Sequence, residues 1–193
     1  MADPHFLSNV FQSSSLSKEE LEIIIPSFKR VEFQKNNYLL EEGKIANHYW
    51  FVESGYLRSF AIDTEGNDIS TNFYSTGSIV IDWPSFFLRN PTREYIQCLS
   101  DSLCWQLDFK TFQHYFHSIR NFREQGRTTL VNSYFSLKQN SISMITDQAK
   151  ERYLRLLNEQ PQIVQNVSLK HIASYLGITD TSLSRIRKEI LQH

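Results

Sequence analysis

Ser168-Leu169-Lys170-His171-Ile172-Ala173-Ser174-Tyr175-Leu176-Gly177-Ile178-Thr179-Asp180-Thr181-Ser182-Leu183-Ser184-Arg185-Ile186-Arg187-Lys188 decides how this chain is read. Ser168 caps a short helix, and Gly177 ends it as a left-handed terminal residue does. Thr179 caps a second helix running to about Leu191. Ala173 is small where two helices must cross closely. Gly177 follows four residues later in the turn, then Leu183 after six and Ile186 after three more, both facing back on the first helix. Ile172, Leu176, Ile178 and Ile190 complete a small core. This spacing predicts a helix-turn-helix.

The other face of the second helix carries Thr181, Ser182, Arg185 and Lys188, with Ser184 and Arg187 at its flanks. Together with Ser168, Thr179 and Asp180 at the helix starts, they are the candidate DNA-binding residues. Short hydroxyls at a helix N-terminus reach phosphates and base edges. A guanidinium at Arg185 can fork onto a guanine edge or a phosphate. Arg187 and Lys188 read as phosphate contacts, which position without specifying. Asp180 has two readings: it accepts from a cytosine amino group, or it supports the helix N-terminus through its charge. For Arg185, Arg187 and Lys188 the plain alternative is a solvated helix face, which the apolar core around them disfavours.

Upstream, Asp147 to Glu159 reads as a helix stopped by Pro161, with a loop from Gln162 to Val167 before Ser168. From Thr146 onward there are seven Lys and Arg against five Asp and Glu, a net +2 within a chain of −1. Further back, Ile119, Phe122, Gly126, Leu130, Tyr134 and Leu137 step by three or four residues, one face of a helix on the order of 35 Å long. So narrow a stripe on so long a helix suggests a partner helix, and a two-fold homodimer is the commonest arrangement. The alternative is packing on the protein's own body. Gly126 would allow close backbone approach.

Between about Phe28 and Leu107 the period changes to short apolar stretches, such as Tyr49-Trp50-Phe51-Val52 and Tyr56-Leu57-Arg58-Ser59-Phe60. Gly43, Gly55, Gly66 and Gly77 punctuate them at intervals of 12, 11 and 11 residues, the rhythm of an all-β sandwich or barrel. Before them, Ser15 to Ile25 reads as a short capped helix ended by Pro26. The fold class expected is α+β: a jelly-roll at residues 1–117, a long helix at 118–145, and a helix-turn-helix at 146–193.

The 193 residues are 40% apolar and 21% charged, ordinary globular composition. No run of apolar residues reaches a membrane span, and Met1 to His5 does not open a secretory signal. The chain is expected in the cytoplasm. Cys98 and Cys104, six apart, are too few for a disulfide framework and lack a metal-ligand spacing. They read as reduced core residues, with a redox pair as the alternative. His48, His114, His117 and His171 have no ligand setting, so no metal is expected.

Nearly all of residues 20 to 190 resembles the Crp/Fnr family of bacterial regulators. The resemblance rests on Tyr38-Leu39-Leu40-Glu41-Glu42-Gly43, Tyr49 to Gly55, Asp63-Thr64-Glu65-Gly66 and Ser75-Thr76-Gly77. At the C-terminus it rests on Ile172 to Thr179 and Leu183-Ser184-Arg185-Ile186-Arg187. It implies a cyclic-nucleotide-binding-type roll, dimerisation along the long helix, and DNA binding tuned by an effector. In the family's nucleotide binders a glutamate follows the turn glycine by five residues, and an arginine ten further on pairs with the phosphate. Counted from Gly77 these positions are Asp82 and Thr92, followed by Arg93. Thr92 supplies no charge, so classical cyclic AMP binding is not expected. Asp82, Trp83, Thr92 and Arg93 stand as candidate effector residues for a nucleotide or another small molecule, with Trp83 to Phe87 a bulky apolar loop. Because the chain stops at His193, a full wing beyond the recognition helix is not expected.

The expected function is that of a non-enzymatic, homodimeric, DNA-binding transcription regulator, with RNA polymerase as a further candidate partner. A regulator without a ligand is the first alternative. A jelly-roll enzyme or small-molecule binder is the second; its metal chemistry would need a histidine cluster, and the strand region holds only His48.

Overall fold

The structure, a computed structural model, describes residues 5–191. Eight strands form the roll: β1 (Lys29–Phe33), β2 (Tyr38–Leu40), β3 (His48–Ser54), β4 (Leu57–Ile62), β5 (Asp68–Tyr74), β6 (Ile79–Val80), β7 (Tyr95–Cys98) and β8 (Ser102–Asp108). They make two four-stranded antiparallel sheets, ordered β1-β8-β3-β6 and β2-β7-β4-β5. The helices are α1 (Phe6–Val10), α2 (Lys18–Ile24), α3 (Trp83–Leu88), α4 (Phe109–Ser118), α5 (Arg120–Thr146), α6 (Ala149–Glu159), α7 (Pro161–Asn166), α8 (Leu169–Tyr175) and α9 (Asp180–Leu191). This is the expected α+β order of roll, long helix and helix-turn-helix.

Strand alternation divides the roll's side chains between two faces. Val52, paired with Cys104, points between the sheets, where Leu57, Ile96 and Cys98 are also buried. Both cysteines are free, and burial pushes their thiols up to about 11 for Cys98 and about 12 for Cys104. Such thiols stay protonated and behave as small apolar side chains. Tyr49 and Phe51 point the other way, into an aromatic cluster with Phe11, Phe28 and Phe112 under α1 and α4. The turn from β3 to β4 requires Gly55: its φ is +99°, and a Cβ there would overlap the Ser102 side chain.

Several elements differ from the sequence expectation. The apolar stretch after Asp82 is not a loop but α3, because Asp82 accepts a hydrogen bond from the Ser85 amide and Pro84 suits a first turn. Gln162 to Asn166 is likewise helical: Pro161 stops α6 and at the same time starts α7. The long helix begins only at Arg120. Ile119 is extended (φ −112°, ψ 108°) and breaks α4 from α5, because the chain turns there to bury Phe122 against Phe112 and Tyr115. The short helix α1 carried no sequence signal strong enough to be expected. From Arg120, α5 runs 27 residues, about 40 Å.

The C-terminal core joins Tyr153, Leu156, Ile163, Val167, Ile172, Ala173, Leu176, Leu183 and Ile186. Phe73 of β5 is buried in the same cluster, its ring 5.2 Å from that of Tyr175. The helical unit is thus packed on the outside of the second sheet.

Candidate nucleic-acid interface and ligand site

The two helices of the motif are held as their residue types require. Ser168 Oγ accepts from the His171 amide at 3.4 Å, and Thr179 Oγ1 accepts from the Ser182 amide at 3.2 Å. Gly177 has φ +65°, and the Ile178 amide donates to Ala173 O at 3.0 Å across the turn. A Cβ at Gly177 would come within 2.7 Å of Met144 Cε on α5, so the turn also meets the long helix. Leu183 and Ile186 are buried against α8.

That packing leaves Thr179, Asp180, Thr181, Arg185 and Lys188 exposed, with Ser182, Ser184 and Arg187 half-buried. Among the described residues, Arg185, Arg187 and Lys188 form no ion pair. The cations of α6 are used differently. Arg152 donates to Leu176 O at 2.8 Å and to Asp147 O at 2.6 Å, capping the end of α8, and Arg155 pairs with Asp147. Ser168 and Thr179 spend their hydroxyls as helix caps, as the sequence predicts, so Ser168 lies at the far end of α8 from the exposed residues of α9.

The first helix of the motif is tied to the roll by polar groups that the sequence did not single out. Arg58 of β4, only 3% exposed, donates to Asp68 at 2.6 Å, to Gln97 at 3.0 Å and to Ser70 at 3.3 Å. Its Nη1 lies 2.8 Å from Nδ1 of His171 on α8. Lys170 adds a 3.4 Å pair with Asp68, and the Ser70 amide donates to Ser174 Oγ at 3.2 Å. An arginine always donates, so His171 accepts through a neutral Nδ1. Desolvation, then the Arg58 charge, holds the imidazole below its ordinary value. At Asp68 burial acts upward, but the hydrogen bond and charge of Arg58, with Lys170, win and hold the carboxyl low.

On α5 the predicted stripe divides. Leu130, Tyr134 and Leu137 are exposed, at 39%, 58% and 65%. Ile119 and Phe122, expected on the same stripe, belong instead to the roll's core: Phe122 is buried and Ile119 packs beside it. Gly126 faces Phe116 of its own chain, which a Cβ would meet at 3.6 Å, rather than an open helix surface. The exposed stripe also includes Val131, Phe135, Ile142, Met144 and Ile145. Val131 and Phe135 are four apart, Ile142 and Ile145 three apart, and Met144 lies seven beyond Leu137; these spacings were visible in the sequence, but the stripe was traced along one row only.

Inside the roll the four candidate effector residues do not converge on one point. Asp82 is buried and caps α3; Thr92 is buried, and its Oγ1 accepts from the Glu94 amide at 3.0 Å. Arg93 is exposed, and Trp83 stacks on Phe87. The interior holds a second carboxylate, Glu94, which the sequence reading missed. Burial pushes Glu94 up, a Thr71 hydrogen bond opposes this, and the charge of Asp82 pushes it further up. Ser59 Oγ lies 2.9 Å from Thr71 Oγ1 and 3.4 Å from the Tyr74 hydroxyl, so these hydroxyls bond to one another. Arg58, the neighbour of Ser59, points to the opposite face. A cyclic phosphate would meet Asp82 and Glu94 with no guanidinium to offset them; these residues do not fit a cyclic nucleotide.

No helix among the described residues is long and apolar enough to cross a membrane. Residues 30–118 match the family model of the cyclic nucleotide-binding domain. A comparison with curated proteins finds no match. Among solved structures, FixK2 from Bradyrhizobium japonicum superposes with a TM-score of 0.77 at 14% identity, covering 86% of this chain and 85% of its own. A putative Crp/Fnr-family transcriptional regulator from Eubacterium rectale gives 0.71 at 12% identity, over 98% and 87%. The catabolite activator protein of Thermus thermophilus gives 0.58 at 14% identity, over 95% and 86%. The chain therefore has the fold of Crp/Fnr-type regulators, with a cyclic nucleotide-binding-type domain over residues 30–118.

Proposed function

We propose that this chain is a DNA-binding transcription regulator that works as a homodimer in the cytoplasm, its roll tuning DNA binding in response to a small molecule other than a classical cyclic nucleotide. The observation that carries the reading is the outer face of α9. Thr181, Arg185 and Lys188 stand exposed on a helix whose opposite face is locked to α8, and the two cations have no ion-pair partner among the described residues. Such a face offers an arginine fork for a base edge and a lysine for a phosphate. The exposed stripe of α5 supports pairing of two chains along their long helices. Pairing would present two recognition helices to major grooves about 34 Å apart, one duplex turn. An effector acts by changing how α5 and the docked helix-turn-helix sit on the roll. The family's link to transcription makes RNA polymerase the next partner to test.

The test is a gel shift with the promoter regions flanking the protein's own gene. Wild type shifts a specific fragment, and Arg185→Ala weakens that shift about tenfold or more, the loss of one base-reading arginine per half-site. Equal binding by Arg185→Ala would remove α9 from the interface.

A further inference from the structure

A cavity of about 220 Å³ lies against the outer face of the first sheet, where α1, α3, α4 and the start of α5 meet. It is not the space between the sheets. Ile79 and Ile81 line it, while the alternate residues Val80 and Asp82 turn inward toward the cyclic-nucleotide position. Its walls carry six aromatic rings, those of Phe11, Tyr49, Phe51, Trp83, Phe112 and Phe122. No charged side chain lines it. Three polar side chains do: Gln125 and Thr129 of α5, and Tyr49 of β3. Thr129 spends its hydroxyl on Gln125 O at 2.9 Å, one turn back along the helix. Tyr49 is only 4% exposed, so its ring forms part of the wall, while Gln125 brings a side-chain amide to the same wall. That amide offers a ligand both a donor and an acceptor.

We propose that this cavity is the effector site, and that its ligand is a neutral aromatic molecule of one or two rings carrying a hydrogen-bonding group. This deepens, and rests on, the regulator reading above. The size fits: a dry apolar cavity of about 150 Å³ accepts benzene, so this one takes a bicyclic ring. The absence of wall charges excludes nucleotides and carboxylates, which could not recover their desolvation there. Aromatic walls favour edge and offset contacts with a flat ligand. The position couples it to DNA binding, because α5 supplies Gln125, Gly126 and Thr129 and continues to Met144, which touches the turn of the helix-turn-helix at Gly177. A ligand wedged against the start of α5 thus acts on the helix that carries the motif.

The experiment uses the full chain and indole as probe, with benzoate and cyclic AMP as charged controls. Calorimetry reads binding, and fluorescence anisotropy reads DNA affinity with and without indole. The blocking variant is Gly126→Leu. Gly126 lines the cavity beside Phe116, which an added Cβ would meet at an ordinary 3.6 Å, so the change favours the helix and adds bulk at the cavity wall. Saturable indole binding by wild type, at least tenfold weaker in Gly126→Leu and absent for both controls, is expected. Indole is also expected to shift DNA affinity at least fivefold in wild type and not in the variant. No saturable indole binding, or equal binding by Gly126→Leu, overturns the site. Binding without any change in DNA affinity overturns its role as effector site. If neither form binds any DNA, the regulator reading fails on its own, while calorimetry still decides whether the cavity is a site.

Discussion

Replacing Arg58 by methionine tests whether the helix-turn-helix is docked on the roll through a buried charge. Methionine keeps most of the apolar stem, so the change removes the guanidinium with little loss of volume. Four groups then lose a donor: Asp68, Gln97, Ser70 and His171. They are not equal. Ser70 keeps Ser174, and Gln97 and His171 are half-exposed, so water replaces their bond at about 0.5 kcal/mol each. Asp68 is the costly one. Its side chain is 23% exposed, and the only remaining cation is Lys170 at 3.4 Å, itself 68% exposed. Breaking a pair of this kind costs about 3 kcal/mol. The expected destabilisation of Arg58→Met is therefore about 4 kcal/mol, most of it the orphaned carboxylate. Removing that charge as well, in Arg58→Met with Asp68→Asn, should restore about 1–2 kcal/mol, a coupling that only a shared site produces. Guanidinium unfolding at pH 7 in physiological salt measures both, with hydrogen exchange at Ser174 reporting release of α8 from β5. A cost below about 1 kcal/mol for Arg58→Met, or strictly additive losses in the pair, would refute the reasoning.

Two further outcomes follow from the same geometry. Leu137→Glu should dissociate the proposed dimer: covering a 65%-exposed leucine on both chains is worth about 4 kcal/mol, so sedimentation equilibrium should show a dissociation constant roughly a thousandfold higher. An unchanged association state removes the α5 stripe from the interface. Acidification should also weaken the fold. His171 is held below its ordinary value, so as the pH falls the unfolded chain takes up the proton first, and stability is lost as pH drops through the folded value. The groups facing the imidazole are Arg58 and Lys170, which oppose its protonation, and Asp68 and Asp180, which favour it. His48, also lowered by burial, adds a loss of the same sign. His171→Gln should flatten the unfolding midpoint against pH between 7 and 5; a curve unchanged from wild type sinks the assignment.

The chain's own order of residues determined the architecture, because every decisive signal was local. Spaced turn glycines, Ser168 and Thr179 as caps, Gly177 in its turn and Leu183 and Ile186 at helical spacing each act within a few residues. The exposed part of the candidate DNA face was legible for the same reason: once Leu183 and Ile186 face inward, the helix period puts Thr181, Arg185 and Lys188 outward. What the period could not show was which apolar residue meets which surface. Phe122 and Leu137 look alike on a helical wheel, yet one is buried in the roll and the other is bare, because the break at Ile119 turns the chain. Only tertiary structure brought Arg58 to His171, 113 residues away, and Glu94 beside Asp82. Those pairings depend on two sheets and a docked helix placing groups within hydrogen-bond reach, and no local pattern encodes distances across a fold.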